Sequence, residues 1–122
     1  MKTTFLFLFL LFVFSCKDKT VSSNLEVCGI KDPVRNLPWL KSLIEDAKAN
    51  KQDNILTITV GKIKGETVFD YSLSYMSCIG CVGYHCDGSR LDPTKYTDQE
   101  MKDYFDSIRG EGSRGPVIWP EK

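Results

Sequence analysis

The chain contains one histidine, His85, among 122 residues. A lone histidine without an evident nucleophile partner makes hydrolase chemistry hard to assemble; loop or strand is the plainer reading of His85. Acidic residues are scattered and lack the D-x-D-x-D-G spacing of a calcium loop. Lysine and arginine do not gather with aromatics into a basic patch, which argues against nucleic acid as a partner. The glycines have neither the P-loop nor the dinucleotide pattern, nor the strand-to-helix setting that either requires. Covalent haem attachment through C-x-x-C-H is excluded, because Val82 follows Cys81 where the histidine would stand. There is no internal repeat. The one long apolar run, Phe5–Phe14, is too short for the ~20 residues of a helical membrane span.

That run is nevertheless informative. Lys2 precedes it as a small positive n-region, and Ser15-Cys16 ends it abruptly. A run of this length suits the h-region of a signal peptide. The stop at a small residue followed by cysteine looks like a bacterial lipobox, which implies cleavage before Cys16 and lipidation of its thiol and new amine. Phe14 departs from the usual small residue two positions before the cysteine. An ordinary signal peptide fits less well, since Val13 and Phe14 give a plain signal peptidase little to read. Two acyl chains suffice for stable anchoring, so no second membrane segment is needed. Lys17-Asp18-Lys19 is weakly similar to tether signals for the outer face of the outer membrane. The expected organisation is a lipoprotein signal peptide over 1–15, a polar tether over 16–26 and one domain over 27–122. The expected address is the cell envelope, lipid-anchored to the outer membrane and either periplasmic or surface-exposed. The 16 basic and 16 acidic residues balance, and loss of Lys2 leaves the mature chain about one charge negative.

Pro38 suits the first turn of a helix, with Asn36 or Leu37 flanking it. Leu37, Leu40, Leu43, Ile44 and Ala47 share one face, with Lys41, Glu45 and Lys48 opposite. Ile55–Val60 is rich in strand formers. Val68–Met76 alternates, placing Phe69, Tyr71, Leu73 and Tyr75 on one face and Asp70, Ser72 and Ser74 on the other. Lys64-Gly65 suits the hairpin turn between them. A second hairpin is expected at Asp87-Gly88-Ser89, joining Val82–Cys86 to Arg90-Leu91. Thr97-Asp98-Gln99-Glu100 has capping-box form. Met101, Tyr104, Phe105 and Ile108 continue it as a second amphipathic helix that Gly110 ends, and Val117–Trp119 could add an edge strand. The expected fold is α+β: an N-terminal helix packed on a small antiparallel sheet, a second C-terminal helix, and disulfide staples.

With Cys16 lipidated, Cys28, Cys78, Cys81 and Cys86 remain, an even number in an oxidising compartment. Four cysteines allow three pairings. We expect Cys28–Cys81 with Cys78–Cys86, the latter two facing each other across a loop. Two sharper readings compete. Cys78-x-x-Cys81 could be a redox pair, although Val82-Gly83 is poor material for the helix that usually follows one. Cys78, Cys81 and Cys86 with His85 or Cys28 could hold zinc, but exported thiols tend to oxidise first.

Cys28-Gly29-Ile30-Lys31-Asp32-Pro33, Asn36–Lys41 and Tyr84–Gly88 together resemble a family of small bacteroidete lipoproteins of unknown function. Its members carry a C-G-x-x-[ND]-P-x-x-x-L-P-W-L-K helix start, an antiparallel sheet and a cysteine-bearing hairpin ending in Asp-Gly. The similarity covers Cys28 to Leu91, with Leu37–Lys41 its most specific part. It implies location and fold rather than activity. The capped helix after Leu91 departs from the family, whose members usually end in a Gly-rich, cysteine-containing segment.

Trp39, at the first turn of its helix, is expected to pack against the loop entering from Cys28. Trp119 is the better candidate for an exposed apolar contact, or else covers the sheet edge. The leading functional expectation is a non-enzymatic binding or interaction module, held to the membrane by lipid on Cys16 and engaging an envelope protein. The alternatives are an envelope thiol–disulfide redox protein using Cys78 and Cys81, and a zinc-binding protein using the cysteine cluster. No cofactor is implied.

Overall fold

The structure is a computed structural model that describes residues 24–121 except 79, 111 and 113. The expected signal peptide, Cys16 and residues 17–23 of the tether lie outside the described residues.

The fold is mixed, with antiparallel sheets and, among the described residues, three α-helices. A two-residue hairpin comes first: β1 (Glu26–Val27) and β2 (Ile30–Lys31) pair across a turn at Cys28-Gly29. Asp32 leads into the short α1 (Pro33–Asn36), and α2 (Pro38–Ala49) follows. The main sheet comprises β3 (Leu56–Ile63), β4 (Glu66–Leu73), β5 (Gly83–His85) and β6 (Val117–Trp119), in the order β5-β4-β3-β6. Helix α3 (Asp98–Arg109) precedes β6. The expected order of helix, sheet, helix is therefore corrected: the described chain begins with a strand pair, and three helices surround the strands.

Prolines divide α1 from α2. Pro33 and Pro38 each occupy a first-turn position, where a missing N–H leaves no bond unmade. Leu37 sits between them with an extended backbone, as a residue before proline prefers. The β3–β4 hairpin turns at Lys64-Gly65, both at positive φ (50° and 78°), as a two-residue turn matched to strand twist requires.

Both faces of the main sheet are covered. On one, Leu40, Ile44 and Ala47 of α2 cluster with Leu56, Ile58, Val60, Phe69 and Leu73. On the other, Tyr104 and Ile108 of α3 pack with Ile63, Val68 and Leu91. Helix α3 starts with the expected capping box, Thr97 Oγ1 accepting from the Glu100 N–H and the Glu100 side chain accepting from the Thr97 N–H.

Two details of strand β4 differ from expectation. The strand stops at Leu73, where a turn closes through the Met76 N–H to the Leu73 carbonyl, so Tyr75 leaves the aromatic stripe and is 68% exposed. Asp70, expected on a polar face, is only 3% exposed, because α3 roofs that face. The second hairpin turns at Asp87–Ser89, but Arg90 contributes an isolated bridge to Tyr84 rather than a strand. Trp119 lies in edge strand β6 beside Ile58, its ring beneath the Lys48 ammonium and its indole N–H donating to the Asp53 carbonyl. Among the described residues no helix is long and apolar enough to cross a membrane.

Candidate functional site

The four cysteines form two bridges, and the expected pairing is corrected. Cys28 joins Cys86, and Cys78 joins Cys81. Strand geometry explains the difference. Gly83–His85 pair along β4, with Val82 accepting from the Tyr71 N–H before them, which carries Cys86 away from Cys81 and Cys78. Cys86 is thereby delivered to the β1–β2 turn, where its Cα lies 5.8 Å from that of Cys28. Cys78 and Cys81 stay together at the far end, with Cα atoms 5.5 Å apart.

The two bridges do different physical work. Cys28–Cys86 closes a loop across 58 residues and is half-buried at Cys28 and Cys86. Chain-entropy arguments give such a closure about 4 kcal/mol. Cys78–Cys81 spans a separation of only 3, and both cysteines are exposed. The same argument gives it less than about 2 kcal/mol. The first is a staple. The second contributes little to stability for its accessibility to solvent.

The short bridge is held from below. Gly80, at φ 83°, makes the turn, and a side chain there would meet the Phe105 ring of α3 at 2.5 Å. Glycine is thus required twice at one position, for its backbone and for its closeness to α3. On the strand side, Asp70 pairs with Gly83 and the Tyr71 N–H donates to the Val82 carbonyl. The paired register ends there, and Cys81 sits between Val82 and Gly80, whose N–H donates to the Asp70 carboxylate.

Asp70 is the unusual group. Burial is the main cause that pushes its carboxyl up to about 6, while the Gly80 N–H and, more weakly, Arg114 pull it back. Its Oδ1 and the hydroxyl of Tyr104 are buried without a hydrogen-bond partner. Burial beside Asp70 also raises the Tyr104 phenol. A pocket of about 240 Å3 opens next to Asp70, lined by Thr57, Thr59, Ser72, Ile108, Arg109 and Arg114. A carboxyl with an unsatisfied oxygen, bonded to the turn of an exposed disulfide and sharing a pocket with two arginines, can take and release a proton near neutral pH.

Zinc fits poorly. Both bridges consume the thiols that the Cys78, Cys81, Cys86 arrangement with His85 or Cys28 would use. Among the described residues no other group of three or more His, Cys, Asp or Glu converges as metal ligands. His85 sits in β5 opposite Val68, two residues along the strand from Gly83, the partner of Asp70.

Sequence reasoning found the Cys78-x-x-Cys81 pair and missed Asp70. An aspartate inside a strand of β-branched and aromatic residues, a type depleted from strands, was the available signal. The chain is a disulfide-stapled α+β domain with an exposed C-x-x-C bridge. No family model, no curated protein and no solved structure matches it.

Proposed function

We propose that this chain is a lipid-anchored domain of the cell envelope that exchanges thiols and disulfides through Cys78 and Cys81. The observation carrying the reading is the exposed Cys78–Cys81 bridge, whose turn residue Gly80 donates its N–H to the carboxylate of buried Asp70. The anchoring half of the reading rests on Lys2, Phe5–Phe14 and Ser15-Cys16, with diacylglycerol on the Cys16 thiol. No helix begins at Cys81, where β5 follows, so this site lacks the helix N-terminus that often stabilises an attacking thiolate.

Equilibrating the purified domain against glutathione redox buffers tests the exchange. Cys78–Cys81 is expected to reduce while Cys28–Cys86 stays closed, at a potential above the roughly −300 mV typical of structural bridges. A Cys78–Cys81 bridge as resistant as Cys28–Cys86 would sink the reading. Replacing Cys16→Ser is expected to move the protein from the membrane to the soluble fraction. Unchanged fractionation would refute lipidation there.

A second reading, a non-enzymatic interaction module for an envelope protein, is supported by a groove on the α2 face. Val34, Ile44 and Trp119 line it together with charges of both signs, among them Lys41, Lys48 and Glu45. Loss of a pulled-down partner on Trp119→Ala, with Cys78→Ser/Cys81→Ser still binding, would favour this reading over exchange.

A further inference from the structure

We infer that Asp70 is the buried proton acceptor for the Cys81 thiol, which makes Cys81 the resolving cysteine and Cys78 the attacking one. The inference rests on the exchange reading above.

Three observations converge on it. Cys81 lies between two residues bonded to β4: Val82 accepts from the Tyr71 N–H, and Gly80 donates its N–H to the Asp70 carboxylate. Asp70 is 3% exposed, yet its Oδ1 lacks a partner, a costly arrangement for a purely structural aspartate. The pocket lined by Thr57, Thr59 and Ser72 joins Asp70 to solvent, giving a proton somewhere to go.

The groups facing Asp70 bear on its titration. β3 presents Thr57 and Thr59, β4 itself adds Ser72, and β5 sets Gly83 opposite Asp70 with His85 on the same face two residues along. Helix α3 presents the neutral phenol of Tyr104 and, at the pocket, Arg109, and the segment before β6 presents Arg114. Among the described residues, no second carboxylate faces it. The Gly80 N–H and, more weakly, Arg114 hold the ionised form within reach of neutral pH against a desolvation that opposes it.

The chemistry balances with an exported protein disulfide as co-reactant. In the reduced domain the Cys78 thiolate attacks one sulfur of the partner disulfide. A Cys78–partner mixed disulfide forms, and the partner's other sulfur leaves as a thiolate. The Asp70 carboxylate takes the Cys81 proton, and the Cys81 thiolate attacks Cys78 Sγ. The Cys78–Cys81 bond forms, the mixed disulfide breaks, and the partner leaves with its second thiolate. Two electrons pass from the domain to the partner. The proton on Asp70 is lost through the pocket. The reverse sequence reduces the domain at the expense of a partner dithiol.

The test follows resolution of the mixed disulfide that the reduced, otherwise intact domain forms with oxidised glutathione, by acid quench and mass analysis from pH 4.5 to 8.5. Wild type is expected to speed up through an inflection near pH 6. Asp70→Asn is expected to lose the inflection and slow by on the order of 100-fold at pH 7, the low end for proton transfer by a positioned side chain. Superimposable profiles would overturn the role of Asp70 while leaving exchange intact. Absence of any mixed disulfide in wild type would overturn the exchange reading and this inference with it. Should Asp70→Asn misfold, carboxyl titration by NMR in wild type decides. Coupling between proton sites predicts different Asp70 titrations in the oxidised and reduced domains; identical curves would overturn the assignment.

Discussion

The indole N–H of Trp39 donates to the backbone carbonyl of Cys86 at 2.9 Å, joining the first turn of α2 to one end of the long disulfide. The ring packs edge-on against Phe69 at 5.3 Å and lies tilted near Tyr84 at 5.6 Å. Trp39 thus locks α2 onto the cysteine-bearing end of β5, rather than only onto the loop entering from Cys28.

Trp39→Phe keeps an aromatic ring but removes the donor, leaving the half-buried Cys86 carbonyl without it. The expected cost is about 1–3 kcal/mol, or several degrees in Tm for a domain of this size. Thermal unfolding by circular dichroism reads it. A Tm within a degree of wild type would mean that the bond carries no net stability.

Removing each bridge separates their roles. Cys28→Ser/Cys86→Ser is expected to lose about 4 kcal/mol, and Cys78→Ser/Cys81→Ser less than about 2 kcal/mol. Denaturant midpoints at matched m-values give the comparison. Equal losses, or the reverse order, would contradict the division into staple and accessible bridge.

Asp70 sets a pH dependence whose direction follows from its raised carboxyl. Its pKa is about 6 in the folded domain against 3.8 in the ordinary state, so the unfolded chain releases the proton more readily. The contribution is fully present below about pH 3.8 and is lost as pH rises to about 6, roughly 3 kcal/mol in all. Asp87, Asp92 and Glu100 act in the opposite sense, being held low chiefly by bonds from Ser89, Thr94 and Thr97. The difference between wild type and Asp70→Asn isolates the one group. Asn keeps an acceptor for Gly80 and adds no charge, so the variant should gain stability over wild type between pH 4 and pH 7. A constant difference across that range would mean that Asp70 titrates normally.

Much of the fold was legible because local chemistry and tertiary packing agreed. Pro38 marked the start of α2, Lys64-Gly65 the main hairpin, and Thr97 with Glu100 the start of α3, each through a backbone requirement that few residues meet. The expected polar face of β4 failed for a nonlocal reason. Alternation correctly separates Asp70 from Phe69 and Tyr71, but it says nothing of a helix that arrives 28 residues later to roof that face. The cysteine pairing failed similarly. Spacing alone made Cys78 and Cys86 neighbours across a loop, whereas pairing of Val82–His85 with β4 stretches that loop out.

The roof has a consequence of its own. The α2 layer, with the Trp39 anchor and the Cys28–Cys86 staple, and the α3 layer, with Tyr104 and Ile108, touch opposite sides of one sheet. A chain cut before Thr97 would keep both bridges but lose α3 and, with β6, Ile118 of the α2 layer, and water would reach Asp70 and restore an ordinary carboxylate. The C-terminal segment that begins with α3 therefore decides whether the domain owns a neutral-pH proton site or merely an acidic spot on a sheet.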